Sequence, residues 1–335
     1  MVYDVKVNID LTKPLGKVGF GIPLILQEAV ETAIPYTEVS SLAEIKAAGF
    51  EDAGVVYKAA QLMFAQKNAP KTVAVCAVAS GAAEALADVA LTSKGWRHLI
   101  VVNDGESATT VSDIAAKVEA LPGKIYFAGL DIDDATTITV TGLRRTVLFY
   151  CDGADETQEP VAALVGEVAG RSAGSFTYKN LVLTGINAQE LTEAQVDAIH
   201  NKGGITFIAK AGDNVTSEGK VAGGEYIDII DCEDFIIQQL TYKTQKLLNN
   251  NAKIPYDNNG IAMLESVAAD VLRDAYNNGM IAVKADGTPD YSIAYALKED
   301  TNEGDRANRR YLGGAFTFTL AGAIHAVEIS GTITA

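Results

Sequence analysis

The sequence is poor in the side chains that most often carry enzyme chemistry. Its 335 residues include three histidines, three cysteines and one tryptophan. The histidines, His98, His200 and His325, are not arranged at a metal-ligand spacing such as HxxxH. The cysteines, Cys76, Cys151 and Cys232, form no CxxC pair and lie in apolar runs. We therefore expect structural histidines and buried, reduced thiols, which are typical of proteins folded in the cytoplasm.

Loops that commonly bind phosphates or hold a nucleophile are also absent. Gly19–Gly21 resembles the start of a dinucleotide-binding loop, but Leu24 stands where GxGxxG requires its third glycine. The sequence contains neither GxxxxGK[ST] nor GxSxG. The acidic run Asp131–Asp134 lacks the glycine and terminal glutamate of an EF-hand, which favours a solvated loop. These absences predict a chain that is not an enzyme, with no catalytic residue, no metal and no cofactor.

Basic charge is scarce as well. The chain has 27 lysines and arginines against 43 aspartates and glutamates, a formal net charge of −16. Proteins that bind nucleic acid need basic clusters to neutralise phosphates, so we expect no nucleic-acid partner. No apolar run approaches the roughly 18 residues of a membrane span, and no basic start precedes an apolar core, so we expect neither a membrane span nor a signal peptide.

What is present is a regular alternation of short apolar runs and helical patterns. Between Gly19 and Ala173, predicted strands occupy residues 21–27, 72–79, 98–103, 124–130 and 146–151. Predicted helices separate them, among them Leu42–Ala48 capped by Ser41 and Asp113–Leu121 capped by Ser112. Strands separated by helices indicate a layered fold, so we predict the α/β (α+β) class.

The second half continues with fewer strands and longer helices. Asn180–Thr184 and Thr206–Lys210 are predicted strands, joined by a helix that starts at a Thr192–Gln195 capping box. A long helix is predicted from Asp231 or Glu233 to Asn249, where its acidic start suits the helix dipole. Asp257 is predicted to cap a second helix over Ile261–Asn278, and residues 285–310 are predicted to be loop-like.

Both ends of the chain alternate apolar and polar residues with the period of a half-buried strand. The apolar positions are Tyr3, Val5, Val7 and Ile9 at the start and Val327, Ile329 and Ile333 at the end. Such strands can pair inside their own sheet or add to the sheet edge of another copy. If donor and acceptor surfaces differ, the second arrangement propagates into rings, tubes or filaments.

Three stretches in order carry a family resemblance. They are NLVLTGINAQELTEAQVDAIHNKGGITFIAK, VTSEGKVAGGEYIDIIDCEDFIIQQL, and two helices ending at Gly279-Met280 followed by a strand pair. Together they resemble the tail sheath protein of contractile bacteriophages and of R-type, diffocin-like bacteriocins. The likeness is clearest from Asn180 to Ala335. Thr216, Gly219, Asp234, Phe235 and Ile236 occupy the family's motif positions.

The resemblance implies a mechanical function. Sheath subunits form stacked hexameric rings around an inner tail tube, and a metastable extended sheath contracts to drive the tube through a cell envelope. It implies partners in the chain itself, the inner tube protein, and the baseplate and tail terminator proteins. It also implies a location in a virion or phage-tail-like particle, assembled in the cytoplasm of the host bacterium.

The resemblance assigns roles to particular residues. It implies arms at 1–18 and 313–335, an outer α/β domain at 19–175 and a sheath core domain at 176–312. The intersubunit strands would be carried by Tyr3, Val5, Val7, Ile9, Val327, Ile329 and Ile333, with hinges at Pro14, Gly16, Gly313 and Gly314. The tube-facing helix would present either Lys243 and Lys246 or Glu265 and Arg273. An α/β enzyme of unrecognised type, or another self-assembling shell protein, remains the alternative.

Overall fold

The structure, a computed structural model, describes residues 21–103, 109–136, 142–155, 158–325 and 327. The N-terminal arm, with Pro14 and Gly16, lies outside the described residues, as do Ile329 and Ile333. The chain divides into two compact units, Met1–Ile254 and Pro255–Ala335.

Ten strands are present in the described residues. They are β1 (Ile22–Gln27), β2 (Ile34–Val39), β3 (Val73–Ala77), β4 (Trp96–Val102), β5 (Ile125–Leu130), β6 (Thr146–Tyr150), β7 (Gly204–Lys210), β8 (Asp213–Thr216), β9 (Tyr291–Tyr295) and β10 (Gly314–Phe318).

The first unit is built on one eight-stranded sheet in the order β2-β3-β1-β4-β5-β6-β7-β8. Strands β3 to β7 in this order run parallel, while β2 and β8 pair antiparallel at the two edges. The central strands are buried on both faces, which explains why β3 and β6 read as continuous apolar runs without alternation.

The part of the chain that the structure describes also contains ten α-helices. They are α1 (Leu42–Ala47), α2 (Val55–Phe64), α3 (Ala82–Ala85), α4 (Val89–Thr92), α5 (Val111–Glu119), α6 (Val161–Ala169), α7 (Glu193–His200), α8 (Ile227–Asn250), α9 (Asn258–Asn277) and α10 (Glu303–Ala307).

Helices cover both faces of the large sheet. One core cluster contains α1, α2, α6 and the start of α8, and the other contains α3, α4, α5 and α7. The predicted α/β class is confirmed by this layering. Within the described residues, no helix has the length and apolar character required to cross a membrane.

Several element boundaries differ from the predictions. Asn180–Thr184 is not a strand, because Asn180 adopts a positive φ of 62° and the next residues run irregularly beside β8. Thr110, not Ser112, caps α5. The long helix α8 begins at Ile227, a full turn before the predicted start. Residues 285–310, predicted as a loop, contain β9 and α10.

The large sheet continues past the predicted boundary at 175/176. Strand β7 pairs with β6 through the register Phe149↔Ile205, and the compact units separate at 254/255. The division into an outer and a core domain is a statement about assembly and remains a prediction.

The second unit combines α9 with a two-stranded antiparallel sheet of β9 and β10. Asp257 caps α9 by accepting a hydrogen bond from the Gly260 N–H at 2.9 Å, as the sequence predicts. The aromatic and branched residues of both strands are half-buried, whereas Ser292, Ala294, Ala315 and Thr317 are exposed. The predicted C-terminal arm, 313–335, therefore begins with a strand, β10, that pairs inside its own unit.

Candidate functional site

The sheet of the second unit has two open edges. The Ala296 N–H donates to the Gly313 carbonyl and the Thr319 N–H donates to the Asp290 carbonyl, which fixes the hydrogen-bonding positions of the ladder. Because an antiparallel ladder alternates, Phe316 and its even-numbered neighbours in β10 turn their backbone groups away from β9. No third strand pairs with β9 or β10 among the residues that the structure describes.

The edges of the large sheet, by contrast, are protected. Strand β2 carries an exposed proline, Pro35, and an irregular register between Ile34 and Thr37. Strand β8 has only four residues, and the Asn180 N–H donates to the Thr216 carbonyl at 3.0 Å, which covers its end. Proline, irregularity, shortness and cover are the usual means of preventing unwanted strand pairing. Strands β9 and β10 are also short, with five residues each, but they contain no proline and pair without an irregularity. The segment 281–283 meets the sheet only beyond their ends, at Leu320 and Pro289.

Apolar side chains continue in exposed positions after β10. Ile324 is 85% exposed and Val327, the described member of the predicted C-terminal arm, is 75% exposed. Leu320 faces Ile281 in an isolated bridge at the end of the small sheet. Covering Ile324 and Val327 with another surface would be favourable by roughly 25 cal/mol per Å² of apolar area removed from water.

The predicted hinge glycines Gly313 and Gly314 lie at the start of β10 and take part in its pairing. A Cβ on Gly313 would come within 2.7 Å of Ala296, and one on Gly314 within 2.8 Å of the Tyr295 ring. Close packing against these neighbours is a sufficient reason for glycine here. Their role as hinges stays a prediction.

The predicted tube-facing residues are distributed over both long helices. Lys246 is exposed on α8, with its Nζ 5.9 Å from the centre of the Tyr242 ring, and Lys243 is partly exposed. Arg273 on α9 pairs with Asp270 at 2.6 Å, both exposed. Glu265 is partly buried, and its charge adds to burial in raising the pKa of Tyr295. Which helix faces a tube stays a prediction.

Sequence reasoning missed a buried charge network that fixes α8 on the large sheet. Arg97, 1% exposed on β4, donates to Asp231 and to Asp234, each at 2.6 Å. Arg145, next to β6, donates to both oxygens of Asp234 at 2.9 and 3.0 Å. The Tyr178 hydroxyl donates to the second oxygen of Asp231 at 2.8 Å.

The pKa values of the two aspartates in this network are shifted in opposite directions. Burial alone would raise the pKa of Asp234, but the charges and hydrogen bonds of Arg97 and Arg145 outweigh it and lower that pKa. Asp231 contacts one arginine, so burial prevails and its pKa is raised. Close by, burial and then the Arg97 charge lower the pKa of Lys124 to about 7.

The prediction that Asp231, Glu233 and Asp234 serve mainly as first-turn partners of the helix dipole is wrong. The helix begins earlier, so Asp228 is the acidic residue of the first turn. Glu233 instead pairs with Arg144 at 2.8 Å at the rim of the network. The sequence signal was present in Arg97, Arg144 and Arg145, but pairing across 137 positions cannot be read from local spacing.

The large sheet also has a cavity of about 460 Å³ at the carboxyl ends of β1, β3 and β4. Polar side chains lining it include Glu28, Glu31, Glu51 and Asn103, and Glu28 accepts a hydrogen bond from the Ala82 N–H at 2.6 Å. The lining contains no serine, cysteine, histidine or lysine. Within the described residues, no cluster of acids, histidines and cysteines is arranged to hold a metal ion.

Comparison with solved structures identifies the class of this fold. The chain is similar to a protein in the helical sheath of the anti-feeding prophage in its contracted state, with 14% identity, a TM-score of 0.71, and coverage of 100% of this chain and 99% of the other. A protein of the contracted sheath complex of PVC, an extracellular contractile injection system, gives 13% identity, a TM-score of 0.69 and coverage of 98% and 97%. The sheath tail protein Lin1278 from Listeria innocua gives 11% identity, a TM-score of 0.57, and coverage of 91% of this chain and 96% of the other. The chain therefore has the fold of contractile sheath subunits.

Part of the sequence also matches a known family. Residues 227–333 match the C-terminal domain of the E217 tail sheath protein gp31-like family. This match confirms the resemblance to tail sheath proteins that the motifs predict. The matched proteins are structural sheath proteins, not enzymes. A search of functionally curated proteins gave no match.

Proposed function

We propose that this chain is the structural subunit of a contractile tail sheath, polymerising with copies of itself as stacked hexameric rings. The shared fold with proteins of two contracted sheaths supports the proposal. The family match over residues 227–333 supports it from the sequence side. Contraction would then draw on stored assembly strain, with no nucleotide consumed.

One observation carries the proposed mode of assembly: an unprotected two-stranded sheet and alternating chain ends occur in one molecule. Strands β9 and β10 each offer an open edge to an incoming strand. The sequences around Val5 and Ile329 have the alternation of a donor strand. Donor and acceptor differ, so each copy would bind the next head-to-tail and the contact would propagate.

Further partners follow from the proposed class. A sheath surrounds an inner tube and starts from a baseplate, and a baseplate of the anti-feeding prophage contains a protein similar to this chain, with a TM-score of 0.71 and 14% identity. We infer contacts with a tube protein, a baseplate and a terminator, within a phage-tail-like particle assembled in the bacterial cytoplasm. Lys243, Lys246, Glu265 and Arg273 are the candidate tube contacts.

Truncation of the arms tests the proposal. The full chain should form tubular particles by negative-stain electron microscopy, with and without its tube protein. Deleting residues 1–12 or 327–335 should leave monomers in sedimentation, with unchanged circular dichroism. Ala285→Ser, at the exposed tip of the turn before β9, is a control that should leave assembly intact. Normal particles from either arm deletion would refute strand exchange.

A further inference from the structure

The connection between β9 and β10 is much longer than its geometry requires. An antiparallel pair can be joined by about two to five residues, yet this one is joined by the segment 296–313, which contains α10. We call this segment the long connection. Extra chain on a rigid scaffold is often where binding surfaces lie.

The long connection is held in one conformation by its own contacts. Asn302 caps α10 by accepting from the Gly304 N–H at 2.7 Å, and Arg306 donates to the carbonyls of Lys298 and Thr301. The start of α9 secures it from outside, since Asn258 accepts from the Lys298 N–H at 2.8 Å. A preformed surface loses little conformational entropy when it binds.

This ordered segment presents exposed apolar and exposed basic side chains. Leu297 is 51% exposed and Leu312 is 63% exposed. Leu297 follows Ala296 and Leu312 precedes Gly313, and Ala296 and Gly313 are hydrogen-bonded to each other. The two leucines therefore lie across from each other at one end of the small sheet. Arg309 and Arg310 are exposed and form no ion pair among the described residues. Arginine is enriched at protein interfaces, and the centre of an interface is more apolar than the remaining surface.

We propose that Leu297, Leu312, Arg309 and Arg310 form a docking surface for an acidic face of a neighbouring copy of this chain. The occupant follows from charge complementarity: every copy carries a net charge of −16, so each offers acidic surface to a basic pair. The contact is separate from strand exchange, because it uses side chains of the long connection and not the open edges. It rests on the proposed function, since it requires copies to assemble.

Charge reversal of the arginines tests this surface in the full-length chain. R309E/R310E should raise the critical concentration for polymerisation at least about tenfold, since like charges facing each other at an interface cost several kcal/mol. K67E/K71E, at two exposed lysines of the first unit, changes the net charge equally and should have a much smaller effect. L297N/L312N should weaken assembly independently of charge. Circular dichroism and thermal unfolding should match the wild type in all three.

The possible outcomes separate the inference from the function it rests on. If the wild type polymerises and R309E/R310E polymerises equally well, the docking surface is wrong and the sheath proposal stands. If R309E/R310E polymerises alone but no longer retains the tube protein, the surface contacts the tube and the inference is overturned. If the wild type forms no particles under any condition, the sheath proposal fails and the inference fails with it.

Discussion

At the scale of residues, the charge network around Asp234 explains how α8 is held in one position on the large sheet. A purely apolar contact would let a helix rotate or slide by small steps, whereas paired arginines and carboxylates accept one geometry. Such buried pairs add little net stability compared with apolar packing, but removing one partner leaves an uncompensated charge. For the proposed sheath subunit, whose neighbours would rearrange on contraction, a single position of α8 would keep the first unit intact.

Asp234→Asn should be strongly destabilising. The variant leaves Arg145 without a carboxylate and Arg97 with Asp231 alone. Losing one partner of a buried pair costs about 3–5 kcal/mol. Glu233→Gln is the matched control on the same helix, since its pairing with Arg144 is partly exposed and contributes at most about 1 kcal/mol. Urea unfolding of both variants measures the difference, and equal losses would contradict the structural role of the network.

Lys124 should make stability rise with pH above neutrality. Burial lowers its pKa to about 7 in the folded chain, below its ordinary value of 10.5. Between these two values the unfolded chain binds more protons, so raising the pH favours the folded state. Lys124→Met should flatten the rise in urea midpoint between pH 7 and pH 10 by removing this proton difference. Lys71→Met, at an exposed site, should leave the slope unchanged, and an equal slope in both variants would disprove the assignment.

At the scale of elements, several local signals were read correctly, although the cap of α5 was not, and long-range pairing was not read at all. The Thr192–Gln195 capping box and the Asp257 cap lie where the sequence placed them, because capping depends on neighbours three residues away. Strand β2 was missed because Pro35 argues against a strand, although proline is tolerated at an edge. The pairing of β9 with β10 across the long connection could not be read from periodicity, which carries no information about partners.

A proline in β10 should show whether polymerisation depends on backbone pairing with an incoming strand or on packing of the Phe316 side chain. The Phe316 N–H points to the open edge, so Phe316→Pro removes a donor that an incoming strand would use while leaving the bonds to β9. Phe316→Ala loses the same ring but keeps the donor. We expect the proline variant to lose polymerisation in light scattering and the alanine variant to retain most of it. Equal assembly by both would mean that this edge accepts no strand.

At the scale of the whole molecule, the net charge of −16 opposes close packing of identical copies. This repulsion acts over distances longer than any single contact, so dissolved salt weakens it first. Docking contacts within a few Å persist until the screening length approaches contact distance. Self-assembly should therefore respond to salt in two stages.

Polymerisation should be most favourable at intermediate ionic strength. Screening lengths fall from about 30 Å at 0.01 M to about 10 Å at 0.1 M and about 3 Å at 1 M salt. The critical concentration, measured by sedimentation, should fall across the first step as long-range repulsion is screened. It should rise again toward 1 M as contacts of Arg309 and Arg310 weaken. In R309E/R310E the first change should be larger, because the chain is more acidic, and the later rise should disappear. A critical concentration that only increases with salt would mean that attraction between charges, not repulsion, dominates assembly.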